Sequence, residues 1–129
     1  MNDSDLKQLA QEHLDDAMAL QGSQRFAGAI YLAGYAVECA LKFRICQTLG
    51  WSDFPPNSDH RALKSHDLNF LLNYSGMLLE TKKTYSFLWE RAAQWNPEMR
   101  YRTLARPNAA ECHDFISTAF EFVKLFTEQ

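Results

Sequence analysis

A chain of 129 residues with 47% hydrophobic and 13% aromatic side chains carries enough apolar material for one core, so residues 1–129 read as a single domain. The formal net charge of −3 excludes a general attraction to nucleic acid, because non-specific binding needs excess Lys and Arg to neutralise phosphates. Any such contact must be local, and Arg100, Arg102 and Arg106, opposed within residues 96–107 by Glu98 alone, are where it would lie.

Leu6, Leu9, His13/Leu14, Ala17 and Leu20 recur at helical spacing behind the possible N-caps Asp3 and Ser4, and Gly22 is a natural stop, which predicts a first helix. From Ser23 the pattern restarts as Phe26, Ile30, Ala33/Gly34, Val37, Leu41, Ile45 and Leu49, ending at Gly50. At ~1.5 Å per residue this second helix is roughly 40 Å long and would be the spine of the domain. Ala29, Ala33, Ala36 and Ala40 form a small-residue face that lets a neighbouring helix approach closely. Tyr31, Tyr35, Glu38 and Lys42 form another, with Glu38 and Lys42 in the favourable i, i+4 order. A helix apolar on nearly every side must be surrounded by others.

Trp51 to His66, with Pro55, Pro56 and several Ser, Asp and Asn residues, reads as the longest loop. Asp67 then caps a short helix carrying Leu68, Leu71 and Leu72, which stops at Ser75-Gly76. A single fourth helix is predicted next, with Leu78/Leu79, Tyr85, Leu88/Trp89, Ala92 and Trp95 inward. Past the arginine-rich segment, Asn108-Ala109-Ala110-Glu111 has the form of a capping box. It opens a last helix whose apolar face is Cys112, Phe115/Ile116, Ala119, Phe122/Val123 and Phe126. The expected fold is all-α, a four- to five-helix up-and-down bundle.

Cys39, Cys46 and Cys112 are odd in number, and the first two lie too far apart along one helix to bridge, so all three read as reduced core residues. No basic n-region with an apolar h-region opens the chain. The most apolar stretch, Phe26 to Val37, is too short for a bilayer and ends at Glu38. The expectation is a cytoplasmic protein without a membrane anchor. P-loop, Rossmann, nucleophile-elbow and zinc-knuckle spacings do not occur, and the classes that need them are set aside.

The run Ala29-Ile30-Tyr31-Leu32-Ala33-Gly34-Tyr35-Ala36-Val37-Glu38-Cys39-Ala40-Leu41-Lys42 resembles the signature helix of the HEPN domain family, whose recurrent form is A-x-Y-x-A-x-x-A-V-E-x-x-L-K. Ser65-His66-Asp67-Leu68 resembles that family's H-x-L entry to a short helix, and Arg100-Tyr101 after Trp95 resembles its R-Y segment. The ordered trio spans most of the chain. The resemblance implies a HEPN-like bundle that forms a homodimer. In prokaryotes such bundles commonly work beside a minimal nucleotidyltransferase in toxin-antitoxin or defence modules. It also implies one of two activities, binding of nucleotide or RNA, or metal-independent RNA cleavage through an R-x(4–6)-H motif.

Arg106 and His113 enclose six residues and so have the nuclease spacing. An imidazole poised near neutrality suits proton transfer, and a guanidinium offers a fork of donors to phosphate. Pro107, however, stands where the family motif carries a polar residue, and a surface His beside a loop Arg has the same spacing. Glu38, Lys42 and His66, with Arg100, Tyr101 and Arg102, are the candidate ligand-binding or polar cluster. Glu38 amid Tyr31, Tyr35 and Val37 is costly to bury unless partnered, by Tyr hydroxyls, by Lys42 or by Arg100. His60 and His66 beside Asp59 and Asp67 lack any metal-site spacing, so neither a metal nor another cofactor is expected, and His66 reads as orienting its loop or capping the short helix. Arg100, Arg102 and Arg106 with Trp95 and Tyr101 are suited equally to gripping phosphate and base or to forming a solvated loop. Phe120 lies off the main stripe of the last helix, on a line with His113 and Ser117, which points either to a broad core or to a dimer contact.

Overall fold

A computed structural model describes residues 1–98 and 106–128, and among these residues the fold is helical with no strand. The elements are α1 (Asp3–Gly22), α2 (Phe26–Leu49), a 3-10 turn (Ser58–Leu63), α3 (Leu68–Leu72), α4 (Leu78–Thr84), α5 (Ser86–Ala93) and α6 (Ala109–Thr127). The all-α expectation holds. The expected four long helices and one short one become, among the described residues, the long α1, α2 and α6 with the shorter α3, α4 and α5.

Helix α2 is the enclosed spine. Its Ala29, Ala33, Ala36, Val37, Ala40, Leu41 and Ile45 have no exposed surface, and α1, α3 and α6 all pack against it. The small Ala face allows the long α1 to lie along it, burying Leu6, Ala10, Leu14 and Ala17. By length and composition all of α2, not only Phe26 to Val37, would suffice to cross a bilayer. Here that apolarity is spent on neighbouring helices, with the charged Glu38 and Arg44 buried among them. The helix starts at Phe26 rather than Ser23, because the chain first turns through Gln24 in the left-handed region (φ 61). It stops at Gly50, whose φ of 70 suits glycine.

Caps explain the other boundaries. Asn2, not Asp3 or Ser4, caps α1, its Oδ1 accepting from Asp5 N at 2.8 Å. The same end is anchored to the long loop, Asp3 N donating to Ser52 O and Phe54 N to Met1 O. Asp67 accepts from Phe70 N at 3.2 Å and starts α3 as expected. Asn108 and Glu111 exchange the two bonds of a capping box at the start of α6. The loop after α2 is less irregular than expected, since Ser58–Leu63 forms a 3-10 turn that buries Leu63.

The predicted fourth helix is broken at Tyr85 (φ −123, ψ 26) into α4 and α5. Thr84, Tyr85 and Ser86 are weak helix formers in succession, and the break lets Tyr85 and Trp89 both meet Phe122 of α6, at 6.0 and 5.3 Å. Leu79, expected inward, is therefore 83% exposed. Phe122 stacks on Phe126, and Trp89 Nε1 donates to Asn69 Oδ1, tying α5 to α3. The predicted face of α6 is buried throughout, whereas His113, Ser117 and Phe120 are exposed, so the broad-core account of Phe120 fails within this chain. All three cysteines are free and buried, as expected.

Candidate functional site

Position 38 of a buried helix needs partners for a carboxylate, because an ion left unpaired in a low-dielectric interior is heavily penalised. Glu38 is 3% exposed and has them. Lys42, one turn on, donates from Nζ to Oε2 at 3.0 Å. His66 donates from Nδ1 to Oε1 at 2.8 Å, so both carboxylate oxygens are engaged.

The position of His66 follows from its neighbours. Ser65 Oγ accepts from Asp67 N at 3.0 Å while Asp67 caps α3, and the intervening His66 is directed onto α2. It thus joins Glu38 and Lys42 and holds its loop to the spine, while the cap of α3 that the sequence offered as its other role belongs to Asp67. Its side chain remains 53% exposed. An imidazole whose Nδ1–H is held by a buried carboxylate has a fixed tautomer, leaving Nε2 as the basic nitrogen for a ligand donor or for proton transfer.

Aromatic rings complete the cluster. Tyr35, one turn before Glu38, meets Tyr31 and Trp95 edge-on, each at 5.0 Å, and His66 at 5.9 Å. Tyr31 OH donates to Tyr35 OH at 3.4 Å. Trp95 Nε1 donates to Tyr31 O at 3.2 Å, with the indole lying over Gly34, where a Cβ would sit 2.1 Å from the ring. Gly34 had been read only as part of an apolar stripe. Its lack of a side chain is what admits Trp95 to the spine.

Beside the Glu38–Lys42 pair lies a cavity of about 270 Å³ between α1, α2 and the long loop, lined by His13, Tyr35, Glu38, Cys39, Lys42, Phe54 and Lys64 among others. Lys42 Nζ stands 5.5 Å from the Phe54 ring centre. His13 Nδ1 is buried and has no hydrogen-bond partner among the described residues. Burial first, then the adjacent Glu38 charge, raises the Cys39 thiol to about 12, so this cysteine is no nucleophile near neutral pH.

The other candidates are not drawn into this cluster. Arg106 is exposed and lines a separate cavity of about 600 Å³ with Arg25, Phe26 and Pro107. His113 is exposed on α6 and does not line that cavity. Arg100, Tyr101 and Arg102 lie outside the described residues. His60 Nδ1 meets Asn57 Oδ1 at 3.1 Å and its ring packs on Trp51, a role in shaping the loop. Among the described residues no three His, Cys, Asp or Glu side chains gather as a metal site.

Arg44 was missed by sequence reasoning. It is buried, donating to Phe126 O at 2.8 Å and Glu128 O at 3.2 Å, and so closes the C-terminal end of α6 from the middle of the core. Only its unusual charge within an apolar run hinted at this.

No protein-family model matches the chain, and no curated protein or solved structure gives a match either.

Proposed function

We propose that the chain is a HEPN-type binding module, a cytoplasmic homodimer that engages a minimal nucleotidyltransferase partner, a nucleotide or RNA, in a toxin-antitoxin or defence-type system. The observation that carries this reading is the 2.8 Å bond between Glu38 and His66. Two of the three segments that resemble the HEPN family converge on one buried carboxylate, as they would if the motif were a working unit rather than a chance pattern. Lys42 and Lys64 supply polar groups to a largely apolar cavity beside Glu38, the usual make-up of a ligand site, and the exposed imidazole held by the same carboxylate offers a further polar group outside it.

Binding is preferred to catalysis because Pro107 interrupts the Arg-His motif and because Arg106 shares its cavity with Arg25 and not with His113. The competing reading, a metal-independent ribonuclease using Arg106 and His113, keeps support from the exposure of both side chains near the capped start of α6. The test is incubation of the purified protein with labelled single-stranded RNA in EDTA. Retention of intact RNA is expected. Cleavage that disappears in His113→Ala would replace the binding reading with the ribonuclease one, and failure to retain RNA, nucleotide or a nucleotidyltransferase would remove it.

A further inference from the structure

We propose that the cavity between α1, α2 and the long loop holds a small monocarboxylic acid, its apolar body against Leu6, Leu9 and Phe54 and its carboxylate held by Lys42 and Lys64. This is the cavity beside the Glu38–Lys42 pair, but the ligand is of another class from those named above and does not rest on that reading. A nucleotide or RNA would meet the exposed His66 outside the cavity.

Size restricts the occupant first. The cavity measures about 270 Å³, below the roughly 300–1,000 Å³ of sites that enclose drug-sized ligands. Its occupant is therefore smaller than a mononucleotide, on the scale of one ring or a short branched chain. Leu6, Cys39 and Phe54 are buried and Leu9 half-buried, and together they give the lining an apolar part that rewards such a body.

The polar part of the lining is short of acceptors. Glu38 gives one oxygen to Lys42 and the other to His66. Lys42 Nζ keeps hydrogens beyond the one bonded to Glu38, on a side chain only 14% exposed. Lys64 lines the same cavity and has no hydrogen bond or ion pair among the described residues. His13, on the α1 side of the lining, has a buried Nδ1 with no partner among them. Buried polar atoms are normally paired, so this orphaned nitrogen independently marks a place where a polar group is missing. Lys42 and Lys64 against Glu38 leave the lining with an excess of positive charge. A carboxylate supplies both the acceptors and the counter-charge; a neutral ligand supplies only the former, and a cation neither.

The test follows backbone amides of the full chain by nuclear magnetic resonance while benzoate is added, with benzamide, acetate and a short single-stranded RNA as parallel arms. Benzoate should shift the amides of Leu9, Cys39 and Phe54. Benzamide, which lacks the charge, and acetate, which lacks the apolar body, should each bind about tenfold more weakly or worse. Leu9→Trp, which fills the cavity from its edge, should abolish benzoate binding. Lys64→Gln, at an exposed position, should weaken benzoate about tenfold and leave benzamide unchanged. Equal affinity for benzoate and benzamide, benzoate affinity unchanged in either variant, or benzoate shifts confined to other parts of the chain would overturn the inference. RNA that displaces benzoate from these amides would overturn it as well, because the cavity would then belong to the nucleic-acid site. No response to benzoate with RNA retained removes this inference alone, whereas benzoate binding without retention of RNA, nucleotide or a nucleotidyltransferase supports it and removes the HEPN reading.

Discussion

Glu38 and His66, 28 positions apart, are joined by a 2.8 Å hydrogen bond that fixes the entry to α3 against the centre of α2. With Lys42 on the other carboxylate oxygen, the unit is buried on the Glu38 side and open to solvent on the His66 side.

That asymmetry makes the two partners unequal on removal. Glu38→Ala leaves the largely buried Lys42 without its counter-ion, and the expected loss is about 3 kcal/mol. His66→Ala removes a half-exposed partner and should cost about 1 kcal/mol or less. Urea unfolding of the two variants checks this, and equal losses would show that the bond to His66 carries the whole effect and the pair with Lys42 nothing beyond it.

Gly34→Ala tests how Trp95 reaches the spine. In an exposed helix this change adds about 1 kcal/mol of stability, but here the new Cβ would fall 2.1 Å from the indole. A net loss of about 2 kcal/mol is expected. Combining it with Trp95→Leu should be less damaging than the sum of the two single changes, because the smaller side chain vacates the contested space. Strict additivity in a double-mutant cycle would refute the clash.

Arg44 closes α6 from within the core through Phe126 O and Glu128 O. Arg44→Met keeps much of the packing volume and loses both bonds, at an expected cost of about 2 kcal/mol. Hydrogen exchange should quicken in the last turn of α6 before it does in α1. Unchanged exchange in that turn would mean that the helix end does not depend on the guanidinium.

The buried thiols set an alkaline limit. Burial, aided by Glu38, raises Cys39 from an ordinary 9.0 to about 12, and burial, aided by Asp3 and Asp53, raises Cys46 to about 11. Unfolded thiols ionise near the ordinary value while the folded ones stay protonated, so the unfolded chain binds fewer protons in that window and stability falls as pH rises through it. The urea midpoint should drop between about pH 8 and about pH 11, and less steeply in Cys39→Ala. A thiol reagent at neutral pH should label the cysteines only after denaturation; rapid labelling of the native protein would contradict their burial.

Phe120 is 47% exposed beside His113 and Ser117 on the outer face of α6. If that face is the homodimer contact, light scattering at micromolar concentration gives a dimeric mass for the wild type and a monomeric one for Phe120→Glu. A monomeric wild type would remove the dimer from the functional reading.

Much of the architecture was legible in the residue order, because helical periodicity and caps act between residues one to four positions apart. The enclosed α2, its stop at Gly50, the Asp67 cap, the Asn108–Glu111 capping box and the buried stripe of α6 all belong to that class. So does the Glu38–Lys42 pair, which a single turn of helix guarantees. What the tertiary structure alone decided were contacts across 28, 64 and 82 positions: Glu38 with His66, Trp95 with the Tyr31 carbonyl over Gly34, and Arg44 with the end of α6. The break at Tyr85 belongs with these, since the local sequence is only a modest weakness and the ring that both Tyr85 and Trp89 meet, Phe122, lies in another helix. Short-range geometry is repeated at every turn and leaves a periodic trace in the sequence; a long-range partner is chosen once, by which surfaces the assembled helices bring together.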